Sequence, residues 1–180
     1  MPRKALTVLF VFLFAASALA LAAAAPQKDP AGSAKDRTPQ ATHLQRGLAS
    51  FDQGFYELLP KSRRTEAEAA FAVAVRELGL ALEAEPNNRE AHRTLGRIYT
   101  LKQDHLQAAA HYRRLTEIDP YDIDSYALAA LALAEAGRFG ESRIELERAK
   151  GRTADPRTVA LLDGYLAKLA EAEKSAGAGR

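Results

Sequence analysis

Through the central and C-terminal parts of this chain, apolar residues return every three or four positions, the interval that gathers side chains on one face of a helix. The stripes are Phe71, Ala74, Leu78, Ala81 and Leu82; then Leu95, Ile98 and Tyr99; then Tyr112, Leu115 and Ile118. A last stripe, Val159, Leu162, Leu166 and Leu169, predicts a helix over residues 156–174. Polar residues fill the intervals. Pro120 lacks the amide hydrogen that a continuing helix needs and disfavours helical geometry at Asp119, so the helix carrying Ile118 is expected to stop there. The chain reads as all-α.

Pro86 and Pro120 stand 34 residues apart, and the segment between them fills a recurring set of slots. His92 stands where the pattern has a large residue, usually Trp; Leu95 and Gly96 form a Leu-Gly pair; Tyr99, Ala108, Tyr112 and Pro120 follow in order and register. With these residues the chain resembles the tetratricopeptide-repeat family, as an exported bacterial member. The resemblance implies antiparallel helical hairpins stacked as a short right-handed solenoid, about three repeats with a C-terminal capping helix. In that arrangement two helices approach closely at small residues, here Gly96 and Ala108.

The template returns one period later in weaker lettering. Tyr126 takes the large slot, Ala129 and Ala130 the Leu-Gly pair, and Ala130 faces Ser142 across the expected crossing. Gly137, Arg138 and Phe139 supply the turn, and the closing proline arrives late, at Pro156. Upstream, Gly47, Phe51 and Tyr56 suggest the first helix of an earlier repeat. Pro60 and the run Lys61, Ser62, Arg63 and Arg64 interrupt it, an insertion of roughly 15 residues against the period. The repeat domain is therefore expected over 42–174: an atypical repeat at 42–86, the best at 89–120, another at 123–154, and a cap at 156–174 that covers the last apolar face.

At the N-terminus, Arg3 and Lys4 precede an uncharged, predominantly apolar run over residues 5–25 that ends in alanines. Basic, apolar and small-residue regions in that order predict a secretory signal peptide. The same run is long enough to be an uncleaved inner-membrane anchor. Residues 26–41, with Pro26, Pro30, Gly32, Ser33 and Pro39, read as a disordered linker, and 175–180 as a disordered tail. The absence of cysteine leaves stability to packing alone.

Charge argues against a nucleic-acid partner. The chain has 25 basic and 23 acidic residues, and losing residues 1–25 removes Arg3 and Lys4 and no acid, leaving 23 against 23. No phosphate loop, nucleophile elbow or helical histidine pair at metal-ligand spacing occurs, so no enzyme, metal or cofactor is expected. Of the four histidines, His92 fills a repeat slot, His105 falls in a turn beside Asp104, and His111 is expected on the solvent side of its helix; His43 has no assigned role.

What remains is a surface. By the resemblance, the first helix of each hairpin lines a concave groove, through Glu90, Arg93, Arg97, Thr100 and Leu101 in one repeat and Asp124, Ala127, Leu131 and Glu135 in the next. Arg93 and Arg97 share a face, and paired guanidinium groups suit a carboxylate on a protein or peptide partner. A plainer reading pairs them with Glu90 and Glu135. The leading functional expectation is an exported, periplasmic protein-binding module. An anchored structural subunit of an envelope complex, which would contact membrane through residues 5–25, is the alternative, and an accessory subunit of an enzyme the third.

Overall fold

The computed structural model describes residues 39–178, and the signal or anchor segment and most of the expected linker lie outside them. Seven α-helices form among the described residues, with no strand: α1 (Pro39–Asp52), α2 (Arg64–Ala84), α3 (Arg89–Leu101), α4 (His105–Ile118), α5 (Ile123–Glu135), α6 (Phe139–Lys150) and α7 (Pro156–Ala178). A π-helical segment, Gln53–Leu58, continues α1. Helix begins at Pro39, inside the expected linker, and α7 runs on to Ala178, so residues 175–178 are helical where a loose tail was expected. No described helix is long and apolar enough to cross a membrane.

Each helix packs against its neighbour in sequence. A Cβ on Gly47 would stand 2.6 Å from Leu78 Cγ, and one on Gly54 2.6 Å from Phe71 Cε1, so the partner residue falls as the chain rises and the two arms run antiparallel. The same reversal holds between α6 and α7, where Arg143 meets Glu173 and Lys150 meets Asp163. Three overlapping apolar clusters result. One joins α1, α2 and α3 around Phe51, Phe71, Leu78 and Ile98. The second joins α4 and α5 around Tyr112, Leu115 and Leu133, and Tyr99 packs against both. The third joins α5, α6 and α7 through Tyr126, Leu146, Leu162 and Leu169.

The turns repeat at the level of backbone hydrogen bonds. Arg63 N–H donates to the Leu58 carbonyl, Asp104 to Tyr99, and Arg138 to Leu133, each bond closing a turn with one residue at positive φ: Ser62 (59°), Gln103 (60°) and Gly137 (76°). A bond of this six-residue reach around a left-handed residue is the Schellman closure of a helix C-terminus. The second and third of these turns are 34 residues apart, as are the turns in which Glu85 donates to Ala81 and Asp119 to Leu115. Caps follow the same rhythm: Asn88, Asp104 and Asp122 accept from the backbone of α3, α4 and α5.

The expected insertion lies in the helices and not in the loop at Pro60. α2 has 21 residues against 14 in α4, and α1 with its π segment has 14 and 6 against 13 in α3. Each arm is thus longer by seven residues, close to two helical turns, an increment that leaves the packed face in register.

The close crossing of α3 and α4 involves Gly96, but its neighbour is Tyr112, whose ring would meet a Cβ there at 2.6 Å. Ala108 is buried in the same cluster. Between α5 and α6, Ser142 Oγ donates to the Ala130 carbonyl at 2.7 Å, so the second crossing is hydrogen-bonded as well as small.

Candidate functional site

α3 is the helix on which most of the sequence-derived groove residues fall. Its N-cap, Asn88, accepts from Ala91 N–H, and from there Arg89, Arg93 and Arg97 follow at four-residue spacing, one above another on the helix surface. Their neighbours differ. Arg89 reaches Asp119 at 3.0 Å and Asp122 at 3.1 Å, and Arg93 reaches the same Asp122 oxygen at 2.9 Å. Asp122 also caps α5 through Ser125 N–H and accepts from Ser125 Oγ. Its carboxylate is mostly buried, so it is a strong anchor for both guanidinium groups.

Arg97 forms no ion pair with any described residue. Its guanidinium lies over the rings of Phe51 (4.8 Å) and Phe55 (5.2 Å), a cation–π arrangement that orients the group without neutralising it. Phe55 stacks on Phe51 and meets Tyr56 edge-on, and Tyr56 is largely exposed. The end of α1 and the π-helical stretch that continues it therefore carry the aromatic support for Arg97, through Phe51 and Phe55 respectively. The pairing of Arg93 and Arg97 with Glu90 and Glu135 is replaced by Asp122 and by the two rings. Asp122 caps α5 locally, while its reach to α3 spans 29 and 33 positions, a separation that helical periodicity does not encode.

The remaining groove residues scatter in character. Glu90 and Leu101 are exposed. Thr100 Oγ1 donates back to the Gly96 carbonyl at 2.9 Å and, at 3.4 Å, is left to accept from the Tyr112 hydroxyl, so its polar group is used within the hairpin. Burial raises the Tyr112 hydroxyl above the usual phenol value. On α5, Asp124 is exposed and Ala127, Leu131 and Glu135 are half-buried. Tyr165 of α7 packs against the cluster that holds Tyr126 near the start of α5, and burial, then the charge of Asp124, raises its hydroxyl.

Two histidines depart from expectation. His105 is the first residue of α4, not a turn residue, with Nδ1 buried and unpartnered. His111 is not on the solvent side: its ring stacks on Tyr99 with centroids 5.5 Å apart, and its Nδ1 lies 3.0 Å from Nδ1 of His92. Burial and then the neighbouring His92 push its pKa down to about 4. His43 contacts Glu77 at 2.7 Å; that hydrogen bond, then one from Arg76, lowers the Glu77 carboxyl below the usual range.

A further carboxylate, Glu145 on α6, is fully buried. Arg113 Nε donates to its Oε1 at 2.8 Å and Arg148 approaches at 3.4 Å, while Oε2 has no partner. Arg113 also reaches Glu141 at 3.1 Å, and these contacts join α4 to α6. Among the described residues, no group of three His, Cys, Asp or Glu side chains gathers as a metal site.

No family model matches the chain, and no curated protein matches it either.

Proposed function

We propose that residues 42–174 form a tetratricopeptide-like right-handed array of three hairpins with α7 as its cap, and that the face carrying α1, α3 and α5 binds a protein or peptide. Support for the array comes from the Schellman turns and inter-hairpin turns that recur at 34 residues. Support for binding comes from one observation: Arg97 is held over Phe51 and Phe55 with its charge uncompensated, whereas Arg89 and Arg93 are neutralised by Asp119 and Asp122. A pre-oriented guanidinium beside the exposed ring of Tyr56 suits an acidic side chain or a terminal carboxylate on a partner. The reading is non-catalytic and involves no cofactor or nucleic acid.

Location in the bacterial periplasm belongs to the same proposal and rests on the apolar run over residues 5–25. The mass of the protein isolated from cell envelopes separates a cleaved leader from an anchor.

The binding test is capture of partners from cell envelopes by the full chain beside an Arg97→Glu variant matched for helicity by circular dichroism. One defined partner is expected on the wild type and lost from the variant. Equal retention of that partner by both would place the contact on another face and overturn the groove assignment.

A further inference from the structure

The His92 and His111 rings stand where three segments meet. His92 Nε2 lies 2.9 Å from the Pro86 carbonyl, which accepts only, so Nε2 carries the hydrogen of the neutral ring. The other nitrogen of His92 then offers a lone pair, and the hydrogen in the 3.0 Å contact between the two Nδ1 atoms belongs to His111. The network thus assigns both tautomers: Nε2–H for His92 and Nδ1–H for His111. A continuous chain of hydrogen bonds runs from the α2–α3 turn through α3 to α4.

We propose that the His92–His111 pair is an acid-sensitive latch, which ties the α2–α3 turn, α3 and α4 together while neutral and comes apart when both rings are protonated. A first proton still leaves a single hydrogen between the two Nδ1 atoms, whichever ring carries the charge, so both hydrogen bonds stay in place. A second puts a hydrogen on each Nδ1, so the bond between the rings is lost and two like charges are left face to face across that 3.0 Å contact.

Among the described residues, no carboxylate is in ion-pair contact with either ring. In the α2–α3 turn, Glu85 accepts from Asn88, and on α4, Arg114 holds Asn87 and Glu117. On α3, Arg93 is paired with Asp122 of α5, Arg89 with Asp119, and Lys102 lies over the ring of Tyr99. α1 and α2, packed on α3, bring His43, Arg76 and Glu77, which are joined to one another; α6, tied to α4, brings Glu141 and Glu145, joined through Arg113. Tyr99 and Tyr112 are further titratable neighbours.

The sign of the effect follows from His111. Its folded value, about 4, is below the ordinary 6.5 of an unfolded chain, so the unfolded state binds more protons between these limits. The contribution to stability is complete above pH 6.5, falls as the pH drops, and is gone below about 4. Allowing for solvent screening of a half-buried ring, the folding equilibrium is expected to change by about tenfold through this pair.

The full chain with nitrogen-15 histidine decides the matter. At pH 7, long-range nitrogen–proton spectra are expected to show His111 as the Nδ1–H tautomer and His92 as Nε2–H. On acidification, amides of α3, α4 and the turn at Pro86 should lose protection from hydrogen exchange as the pair charges, ahead of those in α6 and α7. A His111→Phe variant keeps a ring beside Tyr99 and removes the titration; its urea unfolding equilibrium should vary about tenfold less between pH 7 and 4. An Nε2–H tautomer at His111, titration of His111 at its ordinary value, or an unchanged pH dependence in the variant would each overturn the latch. If His111→Phe does not fold, the wild-type tautomers and the order of amide exchange carry the test on their own.

Discussion

Two glycines in helix interiors behave oppositely under the same substitution. At Gly96 an added methyl would stand 2.6 Å from the buried Tyr112 ring, which has no room to turn away, and Gly96→Ala is expected to destabilise by about 1–3 kcal/mol. At Gly79, on α2, nothing lies within 4 Å, and Gly79→Ala is expected to stabilise by about 0.5–1 kcal/mol by restricting the unfolded chain. Thermal or urea unfolding of the two variants side by side checks both signs. The buried Glu145 allows a sharper test. Arg113→Met removes its closest cation and is expected to cost about 3 kcal/mol, most of it recovered when Glu145→Leu is added, because the cost lies in an unpaired buried charge. A double-mutant cycle showing no recovery would contradict that account. At this scale the sequence was a partial guide. Gly96 announced a close approach, whereas His111, next to Tyr112 of the inner stripe, looked solvent-facing; it is covered because Tyr99 leans across from α3, a contact that helical periodicity within α4 does not encode.

The helices end where the chain supplies a physical reason to end. α2 and α4 stop before Pro86 and Pro120, and the helices that follow start on Asn88 and Asp122, side chains that take up free backbone amides. Asn88→Ala is expected to cost about 1 kcal/mol, read from the shift in unfolding midpoint, because Ala91 N–H then loses its acceptor. α7 shows how a face is decided: Leu162 is 1% exposed and its neighbour Leu161 54%. Leu162→Ala is expected to cost about 2–4 kcal/mol and Leu161→Ala under about 0.5 kcal/mol, a contrast that equal losses would refute. The helix ends before Pro86 and Pro120 were legible in the sequence, unlike the start of α4 at His105 and the run of α7 past residue 174. Nor was the first hairpin, because Pro60 suggested a broken loop; the chain instead passes from α1 into a π-helical stretch and gains two turns in each arm.

Across the domain, stability is distributed over clusters that hand over to one another. Tyr99 serves the first and second, and α5 serves the second with Ala129 and Leu133 and the third with Tyr126 and Ala130. Ending the chain at residue 155 would uncover Tyr126 and Leu146 while leaving the first cluster intact. Hydrogen exchange on such a truncation is expected to show lost protection in α5 and α6 and retained protection in α1 and α2. The all-helical class was legible because each stripe has a helical period, while the ties between helices were not, since they join residues about thirty positions apart. Asp122 is the most consequential of these. One carboxylate closes the first turn of α5 and grips two arginines of α3, so charge at this point ties the two helices together. Dissolved salt then becomes a mechanical variable: as the ionic atmosphere contracts, the exposed arginine ends are released first, and the spacing between adjacent helix pairs widens without any helix unwinding.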